Sequence, residues 1–304
     1  MKYTPPWFLI VLVISLSVFL WIVTREEEQL MLPTFMPLEH LTAHESFHEC
    51  EHPLHCALAE AFPVMLLSSP TEKDLYEGIP LSIIPVDDQG QWGSCTAHAL
   101  RYAWSLMKYY NTVGYSLAQA PSRAFWYATS RQYLGLPVAR DTGSSNYASV
   151  WALANKGSIR ESLYPYTTQN ILRAPPQGTL STAASSRFIL RPPRGPFQFS
   201  LTPSATRDAM IAALNANLSL VVGFVVYSSF VTNSVLKSGI VPMPNTRTER
   251  VQGGHAICIT GFNMTTRRFS FRNSWGPRYG KNGVFTIPFD YITNPRLTFD
   301  AFVI

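Results

Sequence analysis

Cysteine is scarce in this sequence, with four residues among 304. A chain of this length with so few cysteines is not built on disulfides and depends on a hydrophobic core. The composition supplies that core, since 46% of the residues are hydrophobic and 13% are aromatic. The sequence also lacks internal repeats and low-complexity tracts. These features argue against a disordered chain and indicate one large domain or two lobes.

Charge is absent from the seventeen residues Trp7 to Val23, a length near the lower limit for a membrane-spanning helix. The residues that follow, Thr24 to Glu28, offer no small-residue cleavage site, which favours an uncleaved anchor over a secretory signal peptide. Lys2 and the terminal amine nearly balance Arg25. This charge distribution favours a cytosolic N-terminus and predicts a single-pass protein whose body lies on the lumenal or extracellular side.

Acidic residues are few in the later part of the chain. Residues 25–77 hold eleven acidic and two basic residues, a net charge of −9, whereas residues 78–304 hold 8 acidic and 21 basic residues, a net charge of +13. The acidic segment could lie on the basic body, the body could bind anionic surfaces, or the two could be independent solvated surfaces. We expect no nucleic-acid partner.

Five of the seven histidines fall within residues 40–56 of the acidic segment. A four-residue spacing relates His40, His44, His48, His52 and Cys56. It would stack these side chains on one helix face, and imidazole with thiolate suits zinc or a similar metal. Pro53 interrupts such a helix, however, and the spacing matches no closed zinc module. We therefore predict no metal and no cofactor, and keep a Cys50–Cys56 disulfide and a plain polar stalk as alternatives. The candidate metal ligands are His44, His48, His52 and Cys56.

The rest of the chain changes from a helical to a β-rich texture near residue 186. Helices are predicted over 96–110, 121–133, 147–155 and 205–215, where apolar residues recur at helical spacing. Strands are predicted over 219–227, 255–262, 268–273 and 283–287, where apolar and β-branched residues lie between turn residues. The sequence thus predicts an α+β fold in four segments: an anchor at 1–24, a stalk or pro-like segment at 25–77, a helical lobe at about 78–185 and a β-rich lobe at about 186–304.

The loop Asp87–Ser94 runs directly into the first of these helices, with Cys95 at the junction. A thiol at the first turn of a helix lies among unpaired N–H groups at the positive end of the helix dipole, which favours the reactive thiolate. Most free cysteines are instead small buried hydrophobes. Cys95 is therefore a candidate nucleophile whose assignment depends on other residues.

Three further residues supply what cysteine attack on a carbonyl needs: a base, a group that orients the base, and donors for the oxyanion. His255 begins an apolar strand behind two glycines and is the candidate base. Asn273 lies at a strand end and can accept the second N–H of the imidazole, fixing its tautomer. Gln89, six residues before Cys95, can direct its amide at the oxyanion beside the Cys95 N–H.

In this order and with these neighbours, the residues resemble the papain family of cysteine proteases (peptidase C1). The resemblance is carried by QGQWGSC (89–95), by Gly254-His255-Ala256, and by Asn273-Ser274-Trp275-Gly276 with the following YGKNG (279–283). The run GSCTA is similar to a bacterial and viral branch of that family. The resemblance extends from about residue 78 to the C-terminus.

The resemblance implies a two-lobed fold with the active site in the cleft between the helical and β-rich lobes. It implies a monomeric endopeptidase that hydrolyses polypeptides through a thioester acyl-enzyme on Cys95. His255 would act as base, Asn273 would orient it, and Gln89 would complete the oxyanion hole. Trp275 would shield the His255–Asn273 hydrogen bond. The loop Gly143-Ser144-Ser145 would pair with the backbone of an extended substrate.

The sequence departs from the common family pattern in three places. Trp92 and Thr96 stand where many members have a cysteine and an aromatic residue, and no cysteine falls in the loop at 141–145. Residues 25–77 are shorter than the usual propeptide and lack its helical pattern, so we hypothesise that they cover the basic domain through charge. A catalytically silent peptide-binding relative, an acyltransferase and a metal-binding interaction protein are the alternative functions.

Overall fold

A computed structural model of the chain describes Phe35 and residues 70–186, 197–198 and 203–304. The predicted anchor at 7–23 and the candidate metal ligands His44, His48, His52 and Cys56 lie outside these residues. Within the described ranges, no helix is long and apolar enough to span a membrane. The same ranges contain no group of three or more His, Cys, Asp or Glu residues arranged to hold a metal ion.

The first half of the described chain is organised around helix α1 (Cys95–Asn111). Eleven of its seventeen residues are buried, as expected for a helix whose apolar residues are not confined to one face. Helices α2 (Arg123–Tyr133) and α3 (Asn146–Lys156) pack against it. Two shorter helices follow, α4 (Thr168–Ile171) and α5 (Gln177–Ala184).

Six strands of the second half and one from residues 72–74 form an antiparallel sheet in the described ranges. They are β1 (Glu72–Asp74), β2 (Phe197–Gln198), β3 (Leu220–Tyr227), β4 (Val251–Asn263), β5 (Arg268–Arg272), β6 (Val284–Pro288) and β7 (Thr298–Val303). Their order is β2-β7-β3-β4-β5-β6, and β1 pairs with β4. All eight residues of β3 are buried, which explains its unbroken apolar sequence.

Three helices accompany the sheet: α6 (Pro203–Asn215), α7 (Asn233–Ser238) and α8 (Phe289–Ile292). Helix α6 packs on β3 and β4, and so does α1 from the helical half. The N-terminal end of α1 thus meets the sheet at the strand that carries His255. This contact brings residues from distant parts of the sequence together.

The predicted change from helical to β-rich texture is confirmed, and the predicted helices and strands agree with the observed bounds to within a few residues. Several observed elements, among them β7, had not been predicted, and one segment differs from its assignment. Glu72–Asp74, which the sequence analysis assigned to the acidic stalk, forms β1 and pairs with residues 261–263 of β4. Leu75, directly after it, is fully buried. The sheet therefore includes residues that precede position 78.

Candidate active site

Cys95 is the first residue of helix α1, and its side chain is 1% exposed. Three main-chain N–H groups, those of Ala256, Thr96 and Cys95 itself, stabilise the thiolate, as predicted for a thiol at a helix start. Burial acts in the opposite direction and has the larger effect, so it raises the pKa of the Cys95 thiol to about 12. Burial of the Cys95 thiol against β4 thus opposes the three N–H groups that favour its thiolate.

His255 lies on β4 immediately before Ala256, the residue whose N–H faces the thiol. Two glycines precede it, and Gly253 has a φ of 141°, a conformation that favours glycine. The imidazole is almost completely buried. Burial lowers the pKa of His255 to about 4, although the hydrogen bond to Asn273 acts to raise it. The ring is therefore neutral near pH 7.

Asn273 follows β5 and fixes the tautomer of that ring. Its side-chain oxygen lies 2.9 Å from the main-chain N–H of Ser274, which can only donate, so this atom is an acceptor. The same oxygen lies 2.8 Å from Nε2 of His255. Nε2 must therefore carry the proton of the neutral ring, which leaves the lone pair of Nδ1 free to accept one.

Trp275 packs on the imidazole, with ring centroids 5.1 Å apart and the planes inclined by 32°. It is 3% exposed. Phe230 and Phe224 contact the His255 ring from other directions, at centroid distances of 6.4 and 5.9 Å. This aromatic surround excludes water from the imidazole and is the physical reason for its lowered pKa.

Gln89 is buried and held by hydrogen bonds at both ends of its side chain. Its Oε1 accepts from Ser274 Oγ at 2.6 Å, and its Nε2 donates to the Trp92 carbonyl at 2.7 Å. Its main-chain N–H also donates to the Ser274 carbonyl at 2.7 Å. A primary amide has two N–H bonds, so one remains for another acceptor. Ser274 belongs to a motif noted in the sequence, but its hydrogen bond to Gln89 joins residues 185 positions apart and could not be predicted from that motif.

The loop Gly143-Ser144-Ser145 lies beside the loop 89–94, which precedes Cys95 and is called the nucleophile loop after that candidate residue. Asp141 accepts from the Gly93 N–H at 2.9 Å, and a side chain at position 93 would touch the backbone of Gly143. Ser144 and Ser145 are buried, and Ser145 caps α3 by accepting from the Ala148 N–H. The predicted substrate loop thus lies next to Gly93, two residues before Cys95, and is held there by the hydrogen bond from Gly93 to Asp141.

Two aromatic residues of this site were not predicted from the sequence. Phe35 packs edge-on against His255 and Trp275, at centroid distances of 6.2 and 5.8 Å. Tyr166 lies beneath the nucleophile loop, with its hydroxyl 2.5 Å from Ser94 Oγ. Both contacts join residues far apart in sequence, and neither residue belongs to a local motif that could have indicated them.

The chain matches the profile of papain family cysteine proteases over residues 69–293. It is 32% identical over 219 residues to an uncharacterised peptidase C1-like protein of Acanthamoeba polyphaga mimivirus, covering 71% of this chain and 68% of that protein. Its structure is similar to that of xylellain, a cysteine protease from Xylella fastidiosa, with 27% identity and a TM-score of 0.67 over 79% of this chain and 88% of xylellain.

Two more distant structures share the fold. A Carica candamarcensis cysteine protease in complex with E-64 has 18% identity and a TM-score of 0.51, covering 77% of this chain and 98% of that one. A digestive procathepsin L 3 of Tenebrio molitor has 15% identity and a TM-score of 0.55, covering 92% and 79%.

The family profile matches well over half of the sequence, and the viral relative matches more than two thirds of it. The chain therefore belongs to the papain family of cysteine proteases and is a cysteine peptidase with the helical and antiparallel-sheet halves of that fold.

Proposed function

We propose that the chain is an endopeptidase in which Cys95 is the nucleophile and His255 the general base. The observation that carries this proposal is the 2.8 Å hydrogen bond between His255 Nε2 and Asn273 Oδ1. That bond leaves Nδ1 as the proton acceptor, on the strand whose Ala256 N–H faces the thiol. A free Nδ1 lone pair suits a mechanism in which His255 accepts the thiol proton of Cys95.

In the first step Cys95 Sγ attacks the peptide carbonyl carbon, and the thiol proton passes to His255 Nδ1. The carbonyl oxygen becomes an oxyanion, which the Cys95 N–H and the second N–H of Gln89 stabilise. The carbon–nitrogen bond then breaks, the amine takes the proton from His255 and a thioester remains on Cys95. Water attacks the thioester while His255 takes its proton, then returns it to the sulfur, releasing the carboxylic acid product.

Asn273 holds the tautomer that this sequence of proton transfers needs, and Trp275 keeps water from the His255–Asn273 bond. The loop Gly143-Ser144-Ser145 is the proposed site for the substrate backbone, because it lies beside Gly93 and therefore beside the nucleophile. Polypeptides are the proposed substrates, and the mechanism uses no cofactor.

The direct test is covalent labelling with an epoxide inhibitor of papain-like enzymes, such as E-64, together with hydrolysis of a fluorogenic peptide. We expect labelling and turnover in the wild type and neither in Cys95→Ala. Cys258→Ala is the matched control, since Cys258 is also a buried free thiol. It lies three residues after His255 on β4, an odd separation that directs the two side chains to opposite faces of the strand, so this variant should be labelled like the wild type. A folded wild type that resists labelling and cleaves no peptide would support a catalytically silent peptide-binding protein instead.

We further propose that residues 7–23 anchor the protein in a membrane, with the catalytic domain on the lumenal or extracellular side. The support is the uncharged length of this segment and the nearly balanced charge around it. Membrane fractions should retain the wild type after carbonate washing and should release the double variant Val13→Arg/Leu16→Arg. The apolar control Val13→Ile/Leu16→Val should stay bound. Digestion of sealed vesicles by an added protease would identify the side on which the domain lies.

A further inference from the structure

Ser94, the residue before the nucleophile, occupies the N-cap position of helix α1 without capping it. Serine at this position normally turns its hydroxyl towards the N–H groups of the first turn. Here the hydroxyl makes no such hydrogen bond, and φ and ψ are −98° and 19°. N-cap residues usually have β-region angles, whereas these values lie near the sparsely populated bridge region.

The Ser94 hydroxyl is instead engaged by Tyr166. Its Oγ lies 2.5 Å from the Tyr166 hydroxyl, and that hydroxyl donates to the Gln89 carbonyl at 3.0 Å. A phenol has one proton, so Ser94 is the donor in the first bond and Tyr166 is the donor in the second. The Tyr166 hydroxyl therefore connects Gln89 and Ser94, the residues at the two ends of the loop 89–94.

The Tyr166 ring is itself held firmly. The Arg123 guanidinium lies over one face, 4.6 Å from the ring centroid, and His98 packs edge-on at 4.9 Å. Its main-chain N–H donates to Glu161 at 2.7 Å, and Glu161 in turn pairs with Arg123 at 3.0 Å. The hydroxyl position is therefore set by a network of charged groups and is not adjustable by simple ring rotation.

The conformation of Ser94 matters for the reaction because of the planar peptide bond. The ψ angle of residue 94 sets the plane of the Ser94–Cys95 peptide, and with it the direction of the Cys95 N–H. Relaxation of Ser94 to the usual capping conformation would rotate that plane by roughly 80–160°. It would also occupy an N–H of the first turn, where the Thr96 N–H stabilises the thiolate.

We propose that Tyr166 is a positioning residue of the oxyanion hole: its hydroxyl keeps Ser94 from capping helix α1 and so directs the Cys95 N–H at the reacting carbonyl. Tyr166 does not touch the substrate. It acts through Ser94 on the Cys95 N–H, and through the Gln89 carbonyl on the segment that carries the Gln89 side-chain amide. This inference rests on the proposed roles of Cys95 and Gln89.

The test is a double-variant cycle on the full chain with a fluorogenic peptide. Removal of an oxyanion donor costs about 10²- to 10³-fold in kcat, and misdirection of one should cost less, so we expect Tyr166→Phe to lower kcat about tenfold to hundredfold. KM should change by less than about threefold, since the ground-state peptide does not use this donor. Ser94→Ala cannot cap the helix, so adding it to Tyr166→Phe should restore at least about threefold in kcat.

The matched control is Tyr164→Phe, which removes a phenol from the same segment. The Tyr164 hydroxyl donates to the carbonyls of Asn170 and Arg173, away from the nucleophile loop. This variant should keep the wild-type kcat. Melting temperatures of all variants would separate loss of folding from loss of catalysis.

The affinity for a peptide aldehyde gives a second measurement. If Tyr166 had a purely structural role, Tyr166→Phe would not weaken aldehyde binding selectively. The aldehyde forms a tetrahedral adduct with the thiol whose oxyanion needs the donors, whereas the matching alcohol does not. Tyr166→Phe should weaken aldehyde binding by about the same factor as kcat and leave alcohol binding unchanged. If the wild type is active and Tyr166→Phe keeps the wild-type kcat, this inference alone is overturned. The same holds if Tyr166→Phe lowers kcat and adding Ser94→Ala does not restore it. A folded wild type without turnover would contradict the proposed function, and this inference with it.

Discussion

The side-chain oxygen of Asn273 lies 2.8 Å from Nε2 of His255, and the orientation of its amide is unambiguous because the same oxygen accepts from a main-chain N–H. The tautomer of the buried imidazole is therefore a consequence of the fold. The lone pair on His255 Nδ1 is therefore available to accept a proton whether or not a substrate is bound.

Replacing Asn273 by aspartate should move the acid limb of the kcat/KM profile. The pKa of His255 is lowered to about 4 by burial, and an adjacent carboxylate would favour the imidazolium and raise that pKa by one unit or more. Activity that needs neutral His255 should therefore disappear at a higher pH than in the wild type. Asn155→Asp, an exposed asparagine on α3, is the control, and an unchanged acid limb in Asn273→Asp would contradict the assignment of His255 as base.

Stability should fall in mild acid because of two buried histidines. Burial, aided for His98 by the nearby Arg123, lowers the pKa of His98 to about 3 and that of His255 to about 4. Both values lie below the unfolded value near 6.5, so the unfolded state binds more protons once the pH drops below 6.5. Each histidine should cost on the order of 3 kcal/mol of unfolding free energy between pH 6.5 and 4.

Asp300 has the opposite effect on stability in acid, since burial raises its pKa to about 6. This one carboxyl offsets only part of the loss caused by His98 and His255. Denaturant unfolding at pH 7 and pH 4.5 should show a net loss in the wild type. His98→Phe removes one of the two titrating rings, so its loss should be smaller. Equal losses in both proteins would show that His98 does not contribute.

Phe35 should restrict access to the imidazole of His255, the proposed base. Its ring packs edge-on against both His255 and Trp275, so a substrate that extends over this face must displace it. We expect Phe35→Ala to raise kcat/KM severalfold for peptides with residues on the leaving-group side. A short substrate with a small leaving group should respond less. Phe35→Trp keeps an aromatic ring and should not raise kcat/KM for either the long or the short substrate. A loss of activity in Phe35→Ala would refute the idea that Phe35 restricts access to His255.

Gly223 should tolerate no side chain. A Cβ there would lie 2.6 Å from an Asp300 oxygen and 2.9 Å from the Asn146 amide nitrogen. These two groups are hydrogen-bonded at 2.8 Å. Gly223→Ala should therefore lose about 1–3 kcal/mol, the usual cost of overpacking a core. Gly178→Ala on helix α5 meets no atom within 4 Å and should be neutral or stabilising. An equal change in melting temperature in Gly223→Ala and Gly178→Ala would exclude the steric explanation.

The residues proposed for the chemistry could be identified from the sequence because each sits in a short local pattern. Cys95 follows a glycine-rich loop, His255 follows two glycines, and Asn273 precedes Ser-Trp-Gly. Periodicity placed these patterns on a helix start and on strands, which is why their approximate positions in the fold were predictable.

The remaining parts of the site depend on contacts that no local pattern encodes. The strand Glu72–Asp74 is polar and short, and only its pairing with β4 makes it a strand. The contacts of Tyr166 with Ser94 and Gln89 span more than seventy residues. The pKa of Cys95 was expected to fall because its helix N-terminus was visible in the sequence, but the depth of its burial was not.

The proposed nucleophile and its proposed base lie in different halves of the fold, whereas the proposed base and the residue that orients it both belong to the sheet region. Cys95 begins α1, His255 lies within β4 and Asn273 follows β5, which pairs with β4. A small displacement of the helices relative to the sheet would thus alter the sulfur–nitrogen separation and leave the tautomer of His255 unchanged. If Cys95 and His255 act as proposed, the position of α1 on the sheet would affect the proton transfer between them, whereas the pairing of β4 with β5 would keep the same lone pair available on His255.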